Sequence, residues 1–178
     1  MRRVLSQGEY DGACFLYSAA NAYRTLTRRK PTQRRWNEAL KWIPFASDFI
    51  TDNGTLRYDD NMALYKFALE RIFREFGGTK VSFKITPYPN LTSPSKLIDL
   101  IKKDSVVVLN VDSEHWIVCV EVNQNNVLVA CSDQLRIMRA KYAEYVSDSF
   151  RRYYNLVMEI GQRNWVYNPS VLQIKKIE

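Results

Sequence analysis

Three short runs of β-branched and apolar residues, close together in the second half of the chain, constrain the fold more than any other feature. The runs are "SVVVLNV" (105–111), "HWIVCVEV" (115–122) and "VLVACSD" (127–133), with the polar letters "NQNN" between the last two. Runs of this kind, bounded by turn residues, are typical of neighbouring strands. The preceding residues show mainly helical patterns, so the sequence predicts an α+β fold in which a helical N-terminal part packs on an antiparallel β-sheet.

The rest of the chain divides into helical and strand-like segments. Apolar residues at helical spacing predict helices at about 13–27, 33–43, 59–76 and 95–103, and a long amphipathic helix at about 139–160. Strands are predicted for "KVSFKIT" (80–86) and "VLQIKKI" (171–177). A chain of 178 residues with 46% hydrophobic content can bury one core, so we expect a single domain over residues 1–178.

Composition argues against several classes of protein. Three cysteines at wide spacing do not form a disulfide framework, and a single histidine without a CxxC pair argues against a zinc site. No nucleotide-binding loop is present, so we expect neither a metal nor another cofactor. The amino terminus lacks a secretory signal pattern, and no apolar run reaches membrane-spanning length. We therefore expect a reduced, soluble, cytoplasmic protein, and both a processing enzyme and a host-directed effector fit that setting.

The net charge of +7 is concentrated near the amino terminus, where residues 1–41 hold nine Lys or Arg against three Asp or Glu. The densest part, "RTLTRRKPTQRR" (24–35), lacks the interleaved aromatic residues of a single-strand nucleic-acid platform and matches no DNA-reading motif. We interpret it first as a solvated connection between two helices, and alternatively as a patch for an acidic protein, nucleic acid or an anionic membrane surface. The residues of this basic segment are Arg24, Arg28, Arg29, Lys30, Arg34 and Arg35.

Cys14 stands at the predicted start of the first helix, within "SQGEYDGACFLYSAAN" (6–21). The positive end of a helix dipole lowers the pKa of a thiol, and the thiolate is the nucleophilic form. His115, the single histidine, begins the second strand-like run and can activate such a thiol as a general base. Gln7, seven residues before Cys14, offers a side-chain amide that can donate to the oxyanion of a tetrahedral intermediate.

The length of the hairpin loop around "NQNN" decides whether His115 has a carboxylate partner. A loop of three residues (123–125) sets His115 directly opposite Asp133, and a five-residue loop leaves the two on one face as diagonal neighbours. A loop of even length sends their side chains to opposite faces, because side chains alternate along a strand. Asp133 is thus a conditional partner that orients the imidazole, with Ser132 and Asp112 as alternatives.

The order Gln7, Cys14, His115, Asp133 resembles that of the papain-like cysteine peptidase fold. Three local features are similar to its compact bacterial branch, the C39-like peptidases: "Q-x6-C" leading into a helix with a following "YS…N", the "HW-I-V" strand, and an acid 18 residues after the histidine. The resemblance covers roughly residues 7–133. It implies that Cys14 is the nucleophile, His115 the general base and acid, Asp133 the orienting group and Gln7 the oxyanion donor.

Together these features predict a cysteine peptidase, or a related thiol amidohydrolase or acyltransferase, acting on a protein or peptide substrate through a thioester. Deamidation and transamidation use the same groups with another acceptor, and both stay open. The alternative is a non-catalytic papain-like module that binds an acidic protein or nucleic acid through residues 24–35. Cys119 and Cys131 lie in apolar runs and are expected to be inert packing residues in either case.

Overall fold

A computed structural model describes residues 4–5, 12–51, 53–59, 61–89, 91, 93–111, 115–133, 144–145, 153–159 and 167–177. Over these ranges the chain forms four α-helices, two short 3₁₀ helices and seven β-strands, which confirms the α+β class. The α-helices are α1 (Cys14–Thr27), α2 (Gln33–Lys41), α3 (Met62–Gly77) and α4 (Pro94–Leu100). The 3₁₀ helices span Ala46–Ile50 and Leu56–Tyr58.

The strands form one sheet in which every neighbouring pair is antiparallel. They are β1 (Ser82–Pro87), β2 (Ser105–Val111), β3 (His115–Asn123), β4 (Asn126–Ala130), β5 (Glu144–Tyr145), β6 (Leu156–Glu159) and β7 (Tyr167–Ile177). Their order is β1-β7-β2-β3-β4-β6-β5. Strand β3, which begins at the predicted catalytic histidine, therefore lies inside the sheet, and its first six residues are buried.

Side chains of the central strands point alternately to the two faces of the sheet and pack into a separate hydrophobic cluster on each face. One face of the sheet, the helix face, presents Trp116 and Val118 to the cluster that contains α1 and α3. The opposite face presents Ile117 and Cys119 to a second cluster, which contains Leu97 of α4. Consecutive residues at the start of β3 thus belong to different clusters, so a site at this strand end can draw on groups from both faces.

Helix α1 is a core helix because most of its surface is apolar or small. Ala19, Ala20 and Ala22 are fully buried and allow the helix to approach the sheet closely. The Tyr23 hydroxyl donates to the Phe76 carbonyl oxygen near the end of α3 at 2.9 Å. Packing along its whole length, rather than a capping side chain, therefore fixes where α1 begins.

The prediction of a long helix at about 139–160 is wrong for the part of that segment that the structure describes. Glu144–Tyr145 and Leu156–Glu159 are strands, and the second of these pairs with β4. Side chains of β6 alternate between buried and more exposed positions, a period of two that the surrounding helical spacing obscured. The ladder with β4 decides the outcome, because long-range pairing overrides a weak local preference. The other predicted helices are confirmed, with ends shifted by up to three residues.

Candidate functional site

Cys14 is the first residue of α1, close to where the sequence predicts the helix start, and its side chain is 8% exposed. The preceding residue, Ala13, provides no side-chain cap, and no acidic residue lies in the first turn. The N–H groups of a helix's first turn have no partner within the helix and form the positive end of its dipole. Cys14 Sγ lies 4.0 Å from the Gly12 carbonyl oxygen. The thiol thus occupies the helix-start position that stabilises a thiolate.

Two glycines hold a loop against the chain that leads into α1. The Gly12 N–H donates to the Thr51 carbonyl oxygen at 3.1 Å. A Cβ atom at Gly12 would lie 2.5 Å from the Gly54 Cα, so the two backbones are in contact and only glycine fits. Gly54 itself has φ +48°, in the left-handed region that favours glycine. Thr51 and residues 53–55 therefore form a wall beside Gly12, two residues before Cys14.

Aromatic rings surround the start of α1 on the helix face. The buried Phe15 ring contacts those of Tyr65 and Trp116, with centroids 5.3 and 4.9 Å away. Trp116 Nε1 donates to Thr55 Oγ1 at 3.3 Å, which ties β3 to the wall. The residue that follows Cys14 and the residue that follows His115 are therefore in direct contact through their rings.

The Tyr65 hydroxyl interacts electrostatically with Cys14. The helical spacing of Tyr65 in the sequence did not predict this interaction. Its hydroxyl donates to Asp59 Oδ1 at 3.0 Å. Burial raises the pKa of this hydroxyl well above its ordinary value, the negative charge of Asp59 adds to the rise, and that of a Cys14 thiolate adds a smaller amount. Tyr65 is consequently a neutral phenol near the predicted nucleophile at any ordinary pH.

Ser18 and Asn21, which the sequence singled out only as part of a motif, have defined positions in the structure. Ser18 Oγ donates to the Trp116 carbonyl oxygen at 2.8 Å, and joins the second turn of α1 to β3. The Asn21 amide bonds both backbone groups of Leu5: its Oδ1 accepts from the Leu5 N–H at 2.7 Å, and its Nδ2 donates to the Leu5 carbonyl at 3.0 Å. Gln7, two residues after Leu5, lies outside the described residues.

The hairpin between β3 and β4 has a shorter loop than the three residues that favoured a histidine–aspartate pair. The loop comprises Gln124 and Asn125, between the paired residues Asn123 and Asn126. Gln124 adopts φ +54°, as two-residue hairpin loops commonly require. A loop of even length alone would send the two predicted partners to opposite faces.

A β-bulge in β3 reverses that effect. The register shifts after Cys119, where β3 carries one extra residue relative to β4. Beyond the bulge Val118 pairs with Ala130, which is the register that a three-residue loop gives. The same count, carried three residues past this last observed pair, would set His115 opposite Asp133. The expected register is thus reached by two deviations that cancel, neither of which the sequence predicted.

The His115 side chain is 3% exposed and contacts a residue that was expected to be inert. Its Nε2 atom lies 3.1 Å from Cys131 Sγ, and Cys131 is 1% exposed. Cys131 belongs to the cluster on the opposite face of the sheet, whereas Cys14 belongs to the helix face. The structure therefore brings the imidazole together with a second thiol, at the end of β3 that Ser18 joins to α1.

Cys131 is held by Asn155, a residue that the sequence analysis missed. Asn155 Oδ1 accepts from the Cys131 N–H and its Nδ2 donates to the Cys131 carbonyl, both at 2.8 Å. The half-buried Asp133 accepts from Cys131 Sγ at 3.7 Å through its backbone carbonyl oxygen. Asn155 falls in the segment that was predicted to be helical, and no local motif marks it.

Cys119 fits the packing role that was expected of it. It is fully buried on β3, and burial raises the pKa of its thiol to about 12. Burial is the sole cause of that rise, so this thiol stays protonated and unreactive in the folded protein.

Half of the basic segment is engaged within the fold. The Arg24 side chain is buried, and the Arg28 guanidinium lies over the Tyr153 ring, 4.3 Å from its centroid. Arg35 Nη1 donates to the Phe76 carbonyl oxygen, where cations are favoured by the C-terminal end of α3. The remaining cations are exposed to solvent; they are Arg29, Lys30 and Arg34.

A cavity of about 610 Å³ opens at the far end of α1, away from Cys14. Thr25 and Arg28 line it together with Lys102, Lys103 and Tyr153. Eleven residues of helix separate Thr25 from Cys14, a distance of roughly 16 Å at 1.5 Å per residue. The candidate site at Cys14 is therefore distinct from this cavity.

Within the described parts of the chain, no three His, Cys, Asp or Glu side chains are grouped so that they could hold a metal ion. None of the described helices is both long and apolar enough to cross a membrane. No protein-family model and no curated protein matches the chain. The functional interpretation consequently depends on the geometry of the site.

Proposed function

We propose that the protein is a thiol-dependent acyl-transfer enzyme, a cysteine peptidase or a related amidohydrolase or acyltransferase, with Cys14 as nucleophile and His115 as base. The observation that carries this proposal is the bond between Ser18 Oγ and the Trp116 carbonyl oxygen. It fastens α1 to β3 one helical turn from Cys14 and one residue from His115. In the described first turn of α1, no acidic side chain and no side-chain cap competes with a thiolate for the positive end of the helix.

The distances along both elements support this pairing. One turn of helix from Ser18 back to Cys14 is about 6 Å, and one strand residue from Trp116 back to His115 is about 3.3 Å. The rings of Phe15 and Trp116, each one residue after a proposed catalytic residue, are also in contact. The first residues of α1 and β3 are therefore close along the chain to a bond between the two elements, which supports pairing the Cys14 thiol with His115 in the proposal.

The proposed reaction begins when the imidazole takes the Cys14 proton. The thiolate adds to an amide carbonyl, and the C–N bond breaks as the His115 imidazolium protonates the leaving amine. Water then attacks the thioester, gives a proton to the imidazole, and releases the acid and the thiolate. An amine in place of water yields a new amide instead. Asp133, two residues after the Cys131 that contacts His115, and Gln7, two residues after the anchored Leu5, keep their proposed roles as orienting group and oxyanion donor.

The test is the pH dependence of Cys14 alkylation by iodoacetamide, read by peptide mass spectrometry. An ordinary thiol titrates near 8.5, whereas we expect an apparent pKa between roughly 3.5 and 7.5 for Cys14, rising in His115→Ala and in the polar replacement His115→Gln. Cys119 in the same digest reports whether each variant is still folded, because it is fully buried and is not the thiol that contacts His115. An apparent pKa near 8.5 that ignores His115 would overturn the proposal.

A second pair of variants tests the bond that carries the proposal. Ser18→Ala removes the link to Trp116, so we expect slower Cys14 alkylation near neutral pH. Thr25→Ala is the matched control, since Thr25 Oγ1 bonds only the Asn21 carbonyl of its own helix among the described contacts. Equal rates in both variants would show that the link does not position the nucleophile.

The binding-module alternative has less support, because Arg24, Arg28 and Arg35 already have partners within the fold. It depends on the exposed Arg29, Lys30 and Arg34. Two results together would favour it. Polyglutamate or single-stranded DNA would bind the wild type and Cys14→Ala equally tightly at low salt. Neither would bind the variant in which all three of these cations are replaced by alanine. Acyl transfer that is lost in a folded Cys14→Ala variant would favour the enzyme.

A further inference from the structure

We infer that Cys131 is a positioning residue for His115, in which its sulfur accepts the Nε2–H proton and leaves Nδ1 as the basic atom of the imidazole. The contact is short, with Nε2 and Sγ 3.1 Å apart, and both side chains are almost completely buried. This inference takes His115 as the base of the proposed reaction, and so rests on the proposed function. The tautomer that it assigns can nevertheless be measured without any reaction.

The direction of the hydrogen bonds follows from what each group can donate. Cys131 Sγ lies 3.7 Å from the Asp133 carbonyl oxygen, which can only accept. The inference assigns the one thiol proton to this carbonyl, so that the sulfur meets the imidazole with a lone pair. Nε2 must then carry its own proton, and a neutral imidazole with a proton on Nε2 has its lone pair on Nδ1.

The position of Cys131 is fixed independently of the imidazole. Asn155 bonds both its N–H and its carbonyl oxygen, and the Asn155 N–H donates in turn to the Val129 carbonyl at 2.9 Å. These bonds continue the pairing of β4 by one residue past its last strand position, which keeps Sγ directed at the His115 ring. A sulfur held in this way can define the orientation of the imidazole.

The other buried thiol of this hairpin shows that the arrangement is specific to Cys131. Cys119 lies on the same face of the sheet, in the same cluster, and burial alone accounts for its raised pKa. Cys119 is therefore a matched control: removing it takes a buried sulfur from the same cluster without touching the imidazole contact.

A neutral sulfur is a weaker acceptor than a carboxylate, so its effect on the imidazole is different. A carboxylate raises the basicity of the ring and stabilises the imidazolium, whereas a thiol mainly selects the tautomer. The sequence analysis gave the orienting role to the Asp133 carboxylate. In this inference Asp133 acts instead through its backbone, as the acceptor of the Cys131 thiol proton, and Cys131 takes over the orienting role.

The single histidine of the chain makes the test direct. Long-range ¹H–¹⁵N correlation spectra of the tag-free protein report which imidazole nitrogen carries the proton, and only His115 contributes. We expect the Nε2–H tautomer in wild type and in Cys119→Ala, a mixture of tautomers in Cys131→Ala, and recovery of the Nε2–H form in Cys131→Ser, whose hydroxyl oxygen also accepts. Thermal unfolding of each variant checks that the fold is retained.

Two results would overturn the inference: a wild-type imidazole protonated on Nδ1, or a wild-type tautomer that persists in folded Cys131→Ala. In the alkylation assay we expect Cys131→Ala to slow Cys14 by roughly fivefold near neutral pH, the size of one lost hydrogen bond, and Cys131→Ser to restore the rate. If Cys14 ignores His115 while the tautomer still responds to Cys131, the proposed enzyme fails and the contact stands. If Cys14 depends on His115 but the tautomer ignores Cys131, the enzyme stands and this inference fails.

Discussion

Two buried asparagines make the same pair of bonds in two different regions of the molecule. Asn21 of α1 bonds the N–H and the carbonyl oxygen of Leu5, at 2.7 and 3.0 Å. Asn155, just before β6, bonds the same two groups of Cys131, both at 2.8 Å. In each case a side-chain amide forms the pair of bonds that a neighbouring strand would form with that residue's backbone.

The regions differ in what the anchored residue leads to and in how much water reaches it. Leu5 is half-buried and begins the segment that contains Gln7 and ends at Cys14. Cys131 is buried, contacts His115, and begins the segment that contains Asp133. The comparison shows that one asparagine holds a backbone position before Cys14 and another holds the residue that contacts His115. Replacing Asn21 should therefore act on Cys14, and replacing Asn155 should act on His115.

The largest effect is expected for Asn155→Ala. Both backbone groups of Cys131 lose their partners in a region that excludes water, and each buried unsatisfied group costs about 1–3 kcal/mol, so the free energy of unfolding should fall by roughly 2–5 kcal/mol. Urea denaturation measures this, with the exposed Asn123→Ala as control, expected to change stability by less than about 0.5 kcal/mol. Asn155→Ala should also disturb the His115 tautomer. A loss below 1 kcal/mol would mean that the segment is held by other contacts.

A smaller effect is expected for Asn21→Ala, because water can reach Leu5 and partly replace the lost bonds. The free energy of unfolding should fall by about 1–2 kcal/mol. Cys14 alkylation should slow while the His115 tautomer is unchanged. Asn37→Ala, at an exposed position of α2, is the control and should leave both stability and alkylation near their wild-type values. A shifted tautomer in Asn21→Ala would contradict the separation of the two segments.

The same comparison explains which parts of the fold the sequence could predict. Cys14 at a helix start and His115 at a strand start follow from local periodicity, and both are confirmed. The contact of His115 with Cys131 depends on a two-residue loop and a bulge after Cys119, whose effects on register cancel. Nothing in the local sequence fixes either deviation, because hairpin register depends on the backbone of both strands.

Asn155 was beyond prediction for a related reason. It lies just before β6, in a segment whose spacing favoured a helix, and its role appears only when β6 pairs with β4. The basic segment shows the same limit, since Arg34 and Arg35 are adjacent in sequence but only Arg35 reaches the end of α3. Composition predicts that such groups exist, whereas their partners are set by contacts between residues far apart in the chain.

Arg35 provides a third anchor that bonds one backbone group instead of two. Its guanidinium donates to the Phe76 carbonyl near the end of α3, and its side chain is only half-buried. Arg35→Ala should therefore lower the free energy of unfolding by about 1 kcal/mol, less than either asparagine variant. The exposed neighbour Arg34→Ala is the control, expected to stay within about 0.5 kcal/mol of wild type. Equal losses in both variants would indicate a general effect of charge and not an anchor.

The smallest expected effect is the coupling between the two asparagines. Asn21→Ala and Asn155→Ala act on separate segments, so their effects on the free energy of unfolding should add to within about 0.5 kcal/mol in the double variant. Their effects on Cys14 alkylation should not add, because a thiol and an imidazole that act together lose the same advantage when either is displaced. Additivity in both measurements would separate Cys14 from His115 and break the proposed pair. If the two segments are held independently but act in one reaction, the changes in the free energy of unfolding should add, whereas the changes in the rate of Cys14 alkylation should not.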